Sequence, residues 1–181
     1  MNHIKSLLRK DVNIEELYQT ILQQIDDLVK FAQNDELLRF NNEKVSKWNL
    51  KDHLEHLSIT GRSTIRMIEL ALENKIRLSK NKDGKKLFEL GFFPRGKTQS
   101  PEFAIPKGAD SKKIVKNFMR YVTQLKGLSE HFLKKKHLTG TSEHPLIGHL
   151  TVTEWLQFIA MHQEHHLNFV KELQLGSFKN T

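Results

Sequence analysis

Two histidines occupy positions of the last predicted helix where an apolar side chain would be expected. His162 and His166 are four residues apart, and residues with this spacing lie one above the other on the same helix face. Their imidazoles can therefore converge on one metal ion. Burial without a partner would cost roughly 1–3 kcal/mol for each ring. A metal or a carboxylate network would remove that cost, and the pair favours a metal over two core histidines bonded to the backbone or to water. The stripe that contains the pair is Trp155, Ile159, His162, His166, Phe169 and Leu173.

A third ligand is needed, because a catalytic site of the zinc type usually has three protein ligands and one open position. The second predicted helix offers His53 and His56. At about 100° per residue, His53 lies nearer the apolar stripe of that helix, so periodicity alone favours His53. His56 instead belongs to a small, partly polar row that could line the inside of a bundle, and the pattern leaves both open. The members of that row are His56, Thr60, Thr64, Met67 and Ala71.

The first two helices that position these residues have recognisable starts. Asn13, with Glu16 three residues later, is a variant of the capping box and predicts a helix that fades near Gln33. The second helix follows Trp48, and its apolar stripe continues to Leu72.

The last two helices also begin at capping residues. Asp110 and Ser111 predict the start of the third helix, which Lys134–Lys136 would close at the negative end of its dipole. The segment Thr151–Glu154 is a capping box for the fourth helix, which is predicted to run to about Leu175 and to end at Gly176.

Two connections separate these helices. The stretch from about 74 to 110 contains glycines and prolines but is too apolar for a free linker, so it is expected to pack over the helices as a cover. The shorter stretch 137–150 and the rest of the chain show neither clean strand alternation nor an internal repeat. The predicted fold is an all-α four-helix bundle in one domain, 1–181, with a long irregular crossover between helices 2 and 3.

The composition excludes several classes of site. The 181 residues include ten His and no Cys, which excludes disulfide frameworks, thiolate zinc sites, iron–sulfur clusters and a cysteine nucleophile. No apolar run is long enough to span a bilayer, and the first residues lack the apolar core of a signal peptide. A cytoplasmic protein without a membrane partner is therefore predicted.

The net charge of +8 is concentrated in the middle of the chain. Residues 75–136 hold 17 basic and 5 acidic side chains, whereas the segments on either side each have a balance of −2. Such a segment can attract nucleic acid, bind an anionic small molecule or be an ordinary solvated face. Nucleic acid is disfavoured, because the sequence has no specific signature for it.

Three segments resemble the DinB/YfiT-like metalloenzyme superfamily. Residues 48–57, with Trp48 followed eight residues later by His56, are similar to its second-helix signature, and 144–155 and 161–167 resemble one uncharacterised branch. The resemblance implies an up-down-down-up bundle with His56, His162 and His166 on one divalent metal, which could be zinc, nickel or iron. It also implies that His53 and His165 either lie directly behind the metal ligands or line the pocket. Thr60, from the polar row of the second helix, is a further candidate for such a position.

Characterised relatives include transferases that use low-molecular-weight thiols. The resemblance thus implies a metal-dependent, thiol S-transferase-like enzyme that acts on a small molecule, and the thiol would come from a cosubstrate because the chain has no Cys. From their position, Arg95, Lys97 and Lys107 are candidates for binding its carboxylates. A metal-dependent hydrolase is the alternative and lacks an obvious general base, and a non-enzymatic basic binding module is a third hypothesis. The resemblance allows a homodimer or a monomer.

Overall fold

Four long helices dominate the structure, a computed structural model that describes residues 7–8, 12–96, 100–128 and 139–177. These helices confirm the predicted all-α four-helix bundle. Within the described ranges, no helix combines the length and apolarity that crossing a membrane requires. In chain order, the helices are α1 (Ile14–Ala32), α2 (Asp35–Arg39), α3 (Leu50–Glu73), α4 (Lys82–Leu90), α5 (Ser111–Gly127) and α6 (Val152–Ser177).

Three of the long helices begin at the cap that the sequence predicts, and α3 begins just after Trp48, at a cap that was not predicted. The Asn13 side chain accepts the N–H groups of two residues in the first turn of α1, and Asp110 does the same for α5. Asn49 and Asp52 form a reciprocal capping box at the start of α3. At the start of α6, the Glu154 N–H donates to the Thr151 hydroxyl, and the Glu154 carboxylate accepts the Thr151 N–H. These caps satisfy N–H groups that have no partner within the helix.

The ends of the last two long helices differ from the prediction. Helix α6 continues to Ser177 instead of ending at Gly176. A Cβ at Gly176 would lie 2.9 Å from the Asn42 amide nitrogen, so this glycine permits close packing instead of terminating the helix. Helix α5 ends at Gly127, and Lys134–Lys136 lie outside the described residues.

The connections are more regular than the sequence suggested. The crossover between α3 and α5 is not wholly irregular, because it contains α4 and a short 3₁₀ helix at Glu102–Ala104. Between α5 and α6 lies a two-stranded antiparallel hairpin, β1 (Thr141–His144) and β2 (Gly148–Thr151), which the sequence pattern missed. These four-residue strands carry polar side chains and give little of the alternation that predicts a strand.

Helix α3 lies at the centre of the bundle. It packs against α5 and α6, while α1 packs mainly against α6. Helix α3 approaches α5 closely at Gly61, where the ring of Tyr121 occupies the space that a side chain would need. The core between these helices is made of fully buried aliphatic and aromatic side chains.

The crossover is fastened to the bundle at both ends, as expected for a cover. At its start, the Asn81 N–H donates to the Ile147 carbonyl of the hairpin turn at 3.1 Å. At its end, the Glu55 carboxylate of α3 accepts the N–H groups of Lys107 and Gly108 at 3.1 and 3.2 Å. The described residues between these anchors can therefore approach α3 and α6, as Phe93 does at His162 of α6.

Candidate metal centre

Three imidazole nitrogens converge between α3 and α6. The Nε2 atom of His162 lies 3.1 Å from Nε2 of His56 and 3.1 Å from Nε2 of His166. His56 and His166 are buried, whereas His162 is half-buried. Their donor atoms all lie within 4.8 Å of one another, so these three residues, here named the histidine cluster, could hold a metal ion.

The outer nitrogens of two cluster members have partners of their own. Nδ1 of His56 lies 2.8 Å from the carbonyl oxygen of Ala104, which can only accept, so His56 carries its proton on Nδ1. Nδ1 of His166 lies 2.8 Å from Nδ1 of His53. Metal-binding histidines commonly have such a partner on the ring nitrogen that faces away from the ion.

The donor set fits a divalent cation. A neutral His56 with its proton on Nδ1 directs a bare Nε2 at the other two nitrogens. Because a neutral imidazole has only one N–H, His162 could satisfy at most one of its two neighbours. Hydrogen bonds within the cluster therefore leave at least one of the three nitrogens without a partner, whereas a cation would satisfy three bare nitrogens at once.

Burial keeps the histidines of this region neutral. Desolvation lowers the pKa of His53 to about 3, and the nearby imidazole of His56 adds to this effect. Desolvation also lowers the pKa of His56, although the hydrogen bond to Ala104 opposes the shift. For His162 and His166, burial and then the neighbouring imidazoles hold the pKa well below the ordinary value. Neutral imidazole is the form that binds metals.

Aromatic rings enclose the cluster. Trp48 lies with its ring centroid 5.0 Å from that of His56 and is stacked on His166 at 6.1 Å. Phe93 of the crossover lies edge-on to His162 at 5.4 Å, and Phe158 stacks on the same ring at 5.8 Å. The surroundings of the three nitrogens are therefore largely apolar.

The predicted neighbours of the ligands occupy different places. The Thr60 hydroxyl donates to the His56 carbonyl of its own helix at 2.8 Å, which makes it a backbone contact. His165 contacts the rings of His166, Phe93 and Phe169 at 5.0–5.9 Å. Burial lowers its pKa to about 4, which a hydrogen bond to the Phe93 backbone opposes.

The predicted substrate-binding cations are not gathered at the cluster. The Arg95 guanidinium makes two hydrogen bonds to the Glu172 carboxylate, at 2.7 and 2.9 Å, and lies 4.1 Å from the ring centroid of Phe169. The Lys107 side chain is exposed, and its backbone is held by Glu55. Lys97 lies outside the described residues.

The carboxylates that a hydrolase could use as a base have other partners. Glu164 accepts a hydrogen bond from Gln24 of α1 at 3.1 Å. Glu154 is paired with Lys80, and Glu55 accepts the N–H groups of the crossover. Among the described residues, no hydrogen bond joins a carboxylate to the histidine cluster.

Comparison with known proteins identifies the family. Residues 19–173 match the model of the family described as "Protein of unknown function (DUF1569)". The chain belongs to this family. No curated protein matches it significantly.

A solved structure shows the same fold. It is described as "YfiT from Bacillus subtilis is a probable metal-dependent hydrolase with an unusual four-helix bundle topology". The match covers 93% of this DUF1569 chain and 91% of YfiT, with 14% sequence identity and a TM-score of 0.62. The likeness shows that this chain shares the four-helix bundle fold of YfiT, which is the fold that the resemblance in the sequence implied.

Two partners of the histidine network were missed in the sequence. One is Ala104, which contributes a main-chain carbonyl and therefore gives no side-chain signal. The other is Ser46, whose hydroxyl lies 3.3 Å from Nε2 of His53. Its position two residues before Trp48, in a turn that leads into α3, was the available hint.

Proposed function

We propose that this protein is a divalent-metal-dependent enzyme whose metal is bound by Nε2 of His56, His162 and His166. The observation that carries the proposal is the convergence of these three nitrogens, to which no carboxylate of the described residues is hydrogen-bonded. The fit of the donor set to a cation and the structural likeness to YfiT support it. Imidazole binds zinc, nickel and iron, so the donor set does not select among these metals.

The preferred reaction is hydrolysis of a small molecule. When bound, a divalent metal on three neutral imidazoles lowers the pKa of a water or thiol ligand and polarises a carbonyl or phosphoryl oxygen. Because this lowering alone can bring the pKa of water to about 7, the absence of a nearby base among the described carboxylates does not argue against hydrolysis. The description of YfiT as a probable metal-dependent hydrolase supports this reaction.

The chain's own residues orient the ligands and restrict access. The Ala104 carbonyl fixes the ring of His56, and the aromatic rings of Trp48, Phe93 and Phe158 line the surroundings of the cluster. The depth of His56 and His166, which are 3% and 4% exposed, restricts the substrate to a small molecule or to a narrow group on a larger one.

A thiol transferase is the second candidate. The same lack of a nearby carboxylate favours it, since a metal-bound thiol ionises near neutral pH without a general base. The chain has no Cys, so a low-molecular-weight thiol would be a cosubstrate.

Metal analysis and two activity assays test these proposals. The purified protein should contain one divalent metal per chain, and His56→Ala and His162→Ala should lose it. His149→Ala is a matched control, because His149 lies in the hairpin and makes no hydrogen bond to the cluster. Metal that persists in His56→Ala but is lost in His53→Ala would show that His53 is the ligand from α3.

The reaction is then decided by substrate type. Metal-dependent turnover of an ester and amide panel, abolished in His162→Ala, would establish the hydrolase. Conjugation of an electrophile that requires both metal and added thiol would establish the transferase. A metal-loaded protein inactive in both assays would reject both reactions.

A further inference from the structure

His53 is buried beside the histidine cluster without belonging to it. It is 1% exposed, and its Nδ1 faces Nδ1 of His166 at 2.8 Å. Its Nε2 faces the Ser46 hydroxyl at 3.3 Å, and that hydroxyl accepts the Trp48 N–H at 3.0 Å. A chain of polar contacts therefore runs from the start of α3 to a cluster member on α6.

This chain of contacts allows two arrangements of its protons. In the first, His166 donates from Nδ1 to His53, and His53 donates from Nε2 to Ser46. In the second, His53 donates from Nδ1 to His166, and Ser46 donates to His53. Because both rings are neutral, the first arrangement leaves Nε2 of His166 bare, whereas the second places a proton there. Only the first is compatible with a metal on His166.

We propose that His53 is a positioning residue that holds His166 with its proton on Nδ1 and so presents the bare Nε2 to the metal. The inference rests on the proposed function and concerns how one of its ligands is prepared. Ser46 serves as the outer acceptor, and its place is set by the backbone N–H of Trp48.

Packing fixes the ring of His53 in the required orientation. Phe169 of α6 stacks on it at 5.3 Å with an interplanar angle of 20°, and Trp48 lies edge-on to it at 5.6 Å. A rotation of the imidazole would disturb both contacts. The position of Nδ1 opposite His166 is therefore determined by α6 and by the loop that precedes α3.

The other two cluster members lack this dependence. The partner of His56 is the Ala104 carbonyl, which cannot donate and so permits one arrangement only. For His162, the hydrogen bonds within the described part of the chain involve Nε2 alone. His166 is thus the ligand whose proton position depends on a titratable side chain outside the cluster.

Zinc affinity measures this role directly. Zn²⁺ alone is the probe, and its dissociation constant is obtained by competition with a chromophoric chelator. His53→Leu should bind one Zn²⁺ per chain about 10- to 100-fold more weakly, the loss typical when the partner of a metal-binding histidine is removed. His53→Asn should recover most of the affinity, because its amide oxygen can accept the His166 Nδ1–H. His149→Leu is the matched control and should bind Zn²⁺ like the wild type.

The proton positions provide a second measurement that a purely structural role would not affect. Nitrogen-15 NMR of the metal-free wild-type protein should show His166 protonated on Nδ1 and His53 on Nε2. The opposite tautomers in the metal-free protein would overturn the inference, and this readout remains available if His53→Leu fails to fold.

The outcomes separate this inference from the proposed function. Zn²⁺ binding by His53→Leu at wild-type affinity would overturn the role of His53 and leave the proposed function intact. Loss of Zn²⁺ binding in His53→Leu together with retention in His56→Ala would make His53 a ligand and overturn the inference. A wild-type protein that does not bind Zn²⁺ or any other divalent metal would overturn the proposed function itself.

Discussion

Replacement of Gly61 by alanine should destabilise the protein, although alanine is the better helix former. In an unobstructed helix, the change from Gly to Ala stabilises by about 0.8–1 kcal/mol. At Gly61, however, the added Cβ would lie 2.3 Å from Cε2 and 2.4 Å from Cζ of Tyr121. Tyr121 is fully buried, and its hydroxyl accepts a hydrogen bond from Gln163 at 2.9 Å. The ring therefore cannot move aside freely.

The expected net loss is about 1–3 kcal/mol, because the clash is of the kind that overpacking of a core produces. For a protein of this size, each kcal/mol of lost stability lowers the melting temperature by about 2–4 °C. Gly61→Ala should therefore melt about 2–12 °C below the wild type. In Gly127→Ala, where nothing lies within 4 Å of the added Cβ, the melting temperature should stay the same or rise slightly.

A double-mutant cycle isolates the cause. In a Tyr121→Ala background the ring is absent, so Gly61→Ala should become neutral or stabilising by up to about 1 kcal/mol. Urea unfolding and thermal melts of the four proteins measure the coupling. A stabilising effect of Gly61→Ala in the wild-type background would refute the close approach of α3 to α5.

Three further predictions concern the metal, the crossover and pH. Zn²⁺ at roughly 1,000 times its dissociation constant should stabilise the wild-type protein by about 4 kcal/mol, which raises its melting temperature by about 8–16 °C. The melting temperature of His162→Ala should not respond. An equal shift in both proteins would contradict the assignment of His162 as a metal ligand. Arg95→Ala should change the free energy of unfolding by about 1 kcal/mol or less, because the ion pair between Arg95 and Glu172 is about half exposed. The same variant should nevertheless show faster limited proteolysis of the crossover. An unchanged cleavage rate would show that this ion pair does not fasten the crossover. Glu154→Gln should lower the free energy of unfolding at pH 7. As pH falls below about 4, the stability of this variant should approach that of the wild type. Burial alone would raise the pKa of Glu154, but hydrogen bonds from Lys80 and Thr151 outweigh it and hold the pKa below its usual value. The stabilisation by the ionised carboxylate therefore exists above the unfolded-state pKa and disappears on acidification. A stability difference between the two proteins that does not change with pH would refute this.

Features that depend on neighbouring residues could be predicted from the sequence. The caps at Asn13, Asp110 and Thr151 act within one helical turn, so their residue types suffice to place the helix starts. The spacing of His162 and His166 is likewise local, because one turn of helix determines that both rings lie on one face.

Features that depend on the docking of helices could not be predicted in this way. His53 and His56 are both buried in α3, and periodicity favoured His53. Which of them reaches the Nε2 atoms of α6 depends on the rotation of one helix against the other. Only the family resemblance favoured His56, and the structure places Nε2 of His56 beside His162 and Nδ1 of His53 beside His166.

Side chains near the cluster illustrate the same limit. The position of Arg95 in a basic crossover suggested binding of an anionic cosubstrate, yet its partner in the structure is Glu172, 77 residues away. No local pattern contains that contact. The contribution of Ala104 was also inaccessible, because a main-chain carbonyl is present at every residue.

The wide separation of the cluster members along the chain has a consequence for biosynthesis. The contact between His56 and His162 joins residues 106 positions apart, and that between His53 and His166 joins residues 113 apart. At a synthesis rate of about 5–20 residues per second, roughly 5–20 s pass between translation of the first and last of these histidines. During that interval α3 exists without its partner on α6. A complete three-nitrogen site can therefore form only after α6 has been synthesised, so loading of the proposed metal cannot precede the translation of that helix.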